Sequence, residues 1–346
     1  VKQYVFILLG IILASIFVFS AIEIFLRTDG RYRLYHERNH QPYASQYTGR
    51  TTPEHLFRYK NFDSITFRKK EFTETRTINK LGFTDHREIR DIDTSSSTIR
   101  ILTLGDSFTE GMGARYDESW PQALEHLLNN AESIKSFIVY NAGVSGCDPF
   151  FSFQNLKFLF PQLHPDIVIL LINTTDYTDV YFRGGWERFK EGDTVIFSRQ
   201  APWWEWLYAR SHTVRGMAEW AGYNIFLTKD PYEVAIMSTF PVIKQALDSF
   251  RIHSEKNNYV FIPMFNPIPT YHSEEQYRQD SLFVYGYMAP QNPLFLDLTE
   301  AVRSHRTPEY FWESDNHCTA KGYRLFAERI HAHLRETLPE IFLQHP

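Results

Sequence analysis

Cysteine is almost missing. Cys147 and Cys318 are the only two in 346 residues, so neither a disulfide framework nor a thiolate zinc site is written in the chain. A single bridge between them stays open. Basic residues do not dominate either: 36 Lys and Arg stand against 41 Asp and Glu, for a formal net charge of -5. No basic stripe with interleaved aromatics occurs, and a phosphate backbone would feel no general attraction, which argues against nucleic acid as a partner. Internal repeats are absent, so solenoids and propellers are excluded. With 43% hydrophobic and 22% charged residues, the disordered and fibrous classes are excluded as well.

What is present begins with one long apolar run. Tyr4 to Ile22 (YVFILLGIILASIFVFSAI) holds no charged residue, and at about 1.5 Å per residue it matches the thickness of a bilayer's hydrocarbon core. It is expected to form a transmembrane signal-anchor over residues 1–28. The competing reading is a cleaved signal peptide, whose apolar region is usually only about 7–15 residues long. Lys2 precedes the run, whereas Arg27, Arg31, Arg33 and Arg38 follow it. Counted literally, that asymmetry would keep the following domain cytoplasmic, although long domains are translocated past such charges.

Residues 29–98 are polar, spotted with aromatics and without periodicity, which predicts a juxtamembrane spacer and an irregular lead-in ending in the loop DIDTSSST. From residue 99 the pattern changes to short apolar runs alternating with helix-length amphipathic stretches, as in a parallel sheet with crossover helices. Ile99 to Leu104, Phe137 to Asn141, Ile167 to Ile172, Tyr259 to Phe265 and Leu294 to Leu298 are the candidate strands. Between the first two, Ser119 and Gln122 predict a capping box, with Pro121 in the first turn and Trp120, Leu124, Leu127 and Leu128 on one face. Tyr323, Phe326, Ile330, Leu334 and Leu338 recur at helical spacing, predicting a helix over 320–338 packed on the sheet. One domain over residues 99–338 accommodates all of this. An aromatic insertion over residues 183–230 carries Trp186, Trp203, Trp204, Trp206 and Trp220. Core packing is the plain reading of these tryptophans, with a lid, a sugar-stacking platform or a membrane-interface contact as alternatives.

Two short motifs carry chemistry. Ile99 to Gly113 reads IRILTLGDSFTEGMG, which places Gly105-Asp106-Ser107 beyond the carboxyl end of a buried strand, where open parallel sheets bind ligands. Helix capping by Asp106 or Ser107 is the bland alternative. Near the other end, WESDNHCTAKGY sets Asp315 two residues before His317, just ahead of the last helix. A serine hydroxyl needs a base to take its proton, and the base needs a third group to fix its tautomer. Serine, histidine and aspartate together supply those roles, although any one of fourteen histidines taken alone is more simply a surface residue.

In this order and over this span the motifs resemble the GDSL, or SGNH, serine hydrolases. Gly105-Asp106-Ser107 matches the nucleophile block, and Tyr140-Asn141-Ala142-Gly143 matches the second block. Asp315, His317 and Gly322 match the final block. Ile78-Asn79-Lys80-Leu81-Gly82-Phe83 looks like the lead-in of a subset with an amino-terminal transmembrane helix. The resemblance implies a flavodoxin-like three-layer α/β/α fold with a central parallel five-stranded sheet, Ser107 as nucleophile, His317 as base and Asp315 as orienting acid. It also implies Gly143 as an oxyanion-hole donor, no metal and no cofactor. One block departs from the family. Where it usually reads Gly-x-Asn-Asp, with the asparagine an oxyanion-hole donor, this chain has Asn173-Thr174-Thr175-Asp176, so the candidate third donor is the Thr175 hydroxyl in the asparagine's place or Asn173 two positions earlier.

The expected activity is therefore esterase action, through an acyl-enzyme, on a small-molecule or glycan ester such as an O-acetylated envelope component. The resemblance favours an extracytoplasmic, membrane-anchored domain. An O-acyltransferase using the same three residues is the nearest alternative. A catalytically silent glycan-binding or assembly protein on the same fold is the other, since fold alone does not establish activity. In an oxidising compartment a Cys147–Cys318 bridge would hold the histidine loop against the loop after Gly143.

Overall fold

The computed structural model describes residues 2–29, 58–59, 63–92, 95, 97–130, 135–189, 204, 207, 210–221, 236–269 and 274–342. Trp203 and Trp206 of the aromatic insertion lie outside them. The apolar run forms helix α1 (Lys2–Asp29), which is long and apolar enough to cross a membrane and whose most apolar stretch is not buried by any of the described residues.

The lead-in differs from expectation. It contains an antiparallel hairpin, β1 (Ser64–Arg68) and β2 (Thr73–Thr77), and Tyr59, Ile65, Phe67, Ile78 and Phe83 are buried in the same core as the main sheet. Next come β3 (Thr98–Leu104) and the single helical turn α2 (Ser107–Glu110). Helix α3 (Trp120–Asn130) leads to β4 (Ser136–Asn141), α4 (Pro149–Leu163) and β5 (Ile167–Asn173). The chain continues through α5 (Thr175–Arg183), α6 (His212–Trp220), α7 (Phe240–Asn257) and β6 (Val260–Asn266). It ends with α8 (Glu274–Phe283), β7 (Leu296–Asp297), α9 (Thr299–Ser304) and α10 (Ala320–Thr337).

The five strands β3 to β7 pair in parallel in the order β4-β3-β5-β6-β7. Successive side chains along a strand point to opposite faces, and here both faces are covered. Leu102, Leu104, Val168, Leu170 and Ile172 pack with α4, α7 and the hairpin, while Ile101, Ile167, Ile169 and Leu171 pack with α3 and α10. That explains why the strands read as continuous apolar runs rather than as alternating ones. It is the three-layer arrangement the family resemblance implies.

Two local expectations change and one open question closes. The capping box at α3 does not form, because the Ser119 hydroxyl donates back to the Tyr116 carbonyl at 2.8 Å and the Gln122 amide donates to Val139 O at 3.2 Å. The cysteines are both free and buried. Cys147 belongs to the core on one face of the sheet and Cys318 to the core on the other, so the sheet itself separates them. The tryptophans of the insertion also divide: Trp186 packs edge-on against Phe150 and Phe153, but Trp220 is 91% exposed and is no core residue. Its helix α6 is tied to α1, whose Glu23 accepts hydrogen bonds from Ser211 Oγ (2.8 Å), His212 N (3.0 Å) and Thr213 N (2.8 Å). A carboxylate there satisfies N–H groups that a helix start leaves without intrahelical partners.

Asp280 on α8 is buried at 2% exposure. One of its oxygens accepts from Tyr177 Oη and Gln276 Nε2, each at 3.2 Å. Burial pushes its carboxyl up to about 7, against those hydrogen bonds. A folded-state value above the unfolded one gives stability that is full below about pH 4 and is lost as pH rises through 7. Asp280→Asn is therefore expected to raise the unfolding free energy by about 2–4 kcal/mol at pH 8. Urea unfolding at both pH values should show that gain vanish toward pH 4.

Candidate active site

The site forms where β3 and β5, adjacent in the sheet, send their chains in opposite directions. From β3 the chain goes out to β4, and from β5 it goes the other way to β6. Such a switch point leaves a crevice beyond the carboxyl ends of the strands. Ser107 emerges there from β3. Asp106, with φ -94°, caps the turn that follows by accepting from Phe108 N at 3.0 Å. The capping alternative is thus correct for Asp106, and it leaves the Ser107 side chain facing the crevice.

His317 meets it from the opposite wall. His317 Nε2 lies 2.7 Å from Ser107 Oγ, and His317 Nδ1 is hydrogen-bonded to Asp315 Oδ1. Phe108 packs on the imidazole at 4.8 Å between ring centroids. The histidine loop is closed by Trp312 N donating to His317 O at 2.9 Å and Asn316 N donating to Trp312 O at 2.8 Å. Thr319, not Asp315, is the N-cap of α10. Asp315 is thereby left for the imidazole, and its second oxygen lies 2.8 Å from Lys69 Nζ. Burial pushes the Asp315 carboxyl up, but the hydrogen bonds and charges of His317 and Lys69 outweigh it and hold it at about 2.

The two walls are also locked to each other. Trp312 Nε1 donates to Gly113 O at 2.9 Å and the Tyr323 hydroxyl donates to Met112 O at 2.7 Å. Gly113 has φ +96°, and a Cβ there would lie 2.7 Å from both Cys318 O and Trp312 Nε1. Only glycine fits this close approach without strain.

Gly143 is not where the resemblance needs it. It is buried under the Ser107 turn, where a Cβ would lie 2.3 Å from Glu110 N, and its N–H is spent on Asn141 Oδ1 at 3.0 Å. Along the same loop Ala142 N, Val144 N and Cys147 N donate to backbone carbonyls, and Ser145 N donates to Glu110 Oε2. Among the described residues, the Gly146 N–H is the one from 142 to 147 that faces no acceptor. Gly146 is partly exposed, with φ +79°. The motif Asn-x-Gly-x-Ser-Gly contains two glycines, and hydrogen bonding, which the sequence does not display, tells them apart.

Asn173 is likewise out of reach. It is fully buried. Its Nδ2 donates to Asp106 Oδ2 at 2.7 Å, its backbone N–H donates to Asp176 Oδ2 at 2.8 Å, and its Oδ1 accepts from Thr175 N and Thr175 Oγ1. It joins two buried acids, both raised by burial, into one network behind Ser107. Thr175 is partly exposed, but its hydroxyl is turned onto Asn173 Oδ1 at 2.6 Å. Among the described residues no cluster of His, Cys, Asp and Glu is arranged to hold a metal ion.

Beside the histidine loop is a cleft of about 400 Å³ whose lining includes Pro308, Phe311, Trp312 and Asn316, together with Arg306. Residues 103–325 match the sequence profile of the GDSL-like Lipase/Acylhydrolase family. The chain belongs to that family. No curated protein sequence matches it. Among solved structures, this GDSL-like chain is similar to the lipase Lip_vut3 from a goat rumen metagenome, at 15% identity and a TM-score of 0.47, over 68% of this chain and 97% of that one. It is similar to TesA at 16% identity and a TM-score of 0.45, over 69% and 99% of the two chains. It is also similar to Axe2, an acetylxylan esterase from Geobacillus stearothermophilus, at 15% identity and a TM-score of 0.41, over 68% and 94%.

Proposed function

We propose that this GDSL-family protein is a serine esterase that removes an acyl group, in the first place acetyl, from a glycan or envelope component, and that α1 anchors it with the domain facing outward. The observation that carries the reading is the 2.7 Å contact of His317 Nε2 with Ser107 Oγ, with Asp315 on the other imidazole nitrogen. His317 takes the hydroxyl proton as Ser107 Oγ attacks the ester carbonyl. Asp315 holds the imidazole in the tautomer that leaves Nε2 free to accept, then stabilises the imidazolium. The oxyanion rests on the Ser107 N–H, at the start of α2, and on the Gly146 N–H.

Collapse returns the proton from His317 to the departing sugar oxygen and leaves acetyl on Ser107. A water molecule, deprotonated by the same base, releases acetate. Lacking the family's asparagine side chain, the site works with two backbone donors. One missing donor typically costs about 10²–10³ in rate, so modest turnover is expected rather than none.

The test is release of acetate from peracetylated oligosaccharides by the full chain in detergent, run beside fluorophosphonate labelling of Ser107. Labelling with free acetate supports hydrolysis. Labelling with acetyl moved onto added sugar, and no free acetate, assigns an acyltransferase. Absence of both sinks the enzymatic reading in favour of a silent glycan-binding fold.

A further inference from the structure

The turn between β1 and β2 touches the acid–base pair directly, although it lies outside the family match and outside the catalytic domain expected from the sequence. Lys69 Nζ sits 2.8 Å from Asp315 Oδ2, the oxygen that His317 does not use. Lys69 is itself fixed, since its backbone N–H donates to Phe72 O at 2.9 Å and closes the turn. Glu71 accepts hydrogen bonds from the Ser314 N–H, at 2.8 Å, and from the Ser314 hydroxyl. The ring of Phe72 lies 5.4 Å from that of Trp312. Three side chains of one turn therefore hold residues 312, 314 and 315 of the loop that ends in His317.

The strands of the same hairpin hold the opposite wall. Glu74 Oε1 accepts from Gly113 N at 3.1 Å, and Arg76 donates to the carbonyls of Glu110, Gly111 and Ala114.

We propose that Lys69 is a positioning residue, whose ammonium anchors the second oxygen of Asp315 so that the first stays aligned on His317 Nδ1. The proposal rests on the reading of Ser107, His317 and Asp315 as a catalytic chain. A carboxylate held at one oxygen can turn about its Cβ–Cγ bond, whereas one held at both cannot. At 27% and 9% side-chain exposure, the ion pair is shielded enough for its charge to be felt at the imidazole. Among the described residues, Glu71 on the turn, close to Lys70 and to the Glu313 backbone, and Asp106 behind Ser107, which interacts electrostatically with His317, are further charged groups nearby. Removing the Lys69 cation leaves more negative charge to hold a proton on His317, and the protonated base cannot act.

The test is the pH dependence of the fluorophosphonate labelling rate for the full chain, for Ser107→Ala, and for Lys69→Met and Lys69→Arg. Lys69→Met is expected to lower the rate at pH 7 at least fivefold and to move the acid limb of the profile to higher pH by half a unit or more. Lys69→Arg should recover most of the rate and restore the limb. If the full chain labels no better than Ser107→Ala, the catalytic reading fails, and the role of Lys69 with it. If the full chain labels and Lys69→Met keeps both its rate and its acid limb, the positioning role alone is overturned. Equal losses in Lys69→Met and Lys69→Arg, with no movement of the limb, also overturn it, because a packing defect does not depend on charge.

Discussion

Ser107→Ala is expected to lower ester turnover by at least about 10⁴-fold while leaving the melting temperature within a few degrees of the parent. The residue is small and its hydroxyl makes one side-chain contact, with His317 Nε2. Removing it costs the proposed nucleophile and little packing. His317→Ala should fall as far, since a base without its nucleophile and a nucleophile without its base are nearly equivalent defects. Non-additivity is the sharper sign. The Ser107→Ala, His317→Ala double variant should be no slower than either single one, because residues that act as a unit can be disabled only once. Initial rates on p-nitrophenyl acetate check this. Losses that multiply in the double variant would mean that the two side chains act separately and that the hydrogen-bonded chain is not the catalytic unit.

Arg76→Met is expected to cost about 3–5 kcal/mol of stability. The Arg76 guanidinium is fully buried and 3.3 Å from Glu74 Oε2. It also serves the carbonyls of the nucleophile loop. Glu110, fully buried beside it, accepts from Tyr59 Oη at 2.9 Å, from Ser145 N at 2.7 Å and from Ser145 Oγ at 2.5 Å. Burial pushes the carboxyls of Glu74 and Glu110 up, and the charge of Arg76 is the leading counterweight for each. Replacing the cation by an apolar side chain of similar length leaves two buried acids without it, and that loss outweighs the packing retained. Equilibrium urea unfolding should show a lower midpoint with an unchanged slope. A double variant with Glu110→Gln should lose less than the sum of the two single ones. Additive losses would show that Arg76 and Glu110 do not communicate.

The central sheet was legible because strands buried on both faces are apolar throughout. Ile167 to Ile172 needs no pattern analysis to be read as a strand. Ser107, Asp315 and His317 were legible because the short motifs around them resemble, in order, the blocks of a known family, and the structure brings the three within hydrogen-bonding distance. The first strand of the hairpin, Ser64-Ile65-Thr66-Phe67-Arg68, does alternate polar and apolar residues, but its partner strand was hidden for a physical reason. In Thr73-Glu74-Thr75-Arg76-Thr77 the inward-facing residues are Glu74 and Arg76, a charged pair neutralised by its surroundings, so no alternation of polar and apolar residues marks the strand. The same limit applied at Gly143 and at Asn173. Each lies beside the crevice in sequence, and only its hydrogen-bond partners, Asn141 in one case and Asp106 in the other, reveal that its donor is already committed.

The hairpin also decides how this GDSL-family fold and its site can be transplanted. A chimera that grafted only the sheet and its helices, residues 98–342, onto another carrier would hold the serine, the histidine and the aspartate, yet would leave behind the residues that brace both walls of the crevice. It would also expose the sheet face that Phe67 and Phe83 now cover. Portable inheritance of this site, whether by recombination or by a protein engineer's hand, therefore has to start before Tyr59. The stretch between α1 and the sheet travels with the hydrolase fold rather than with the apolar helix.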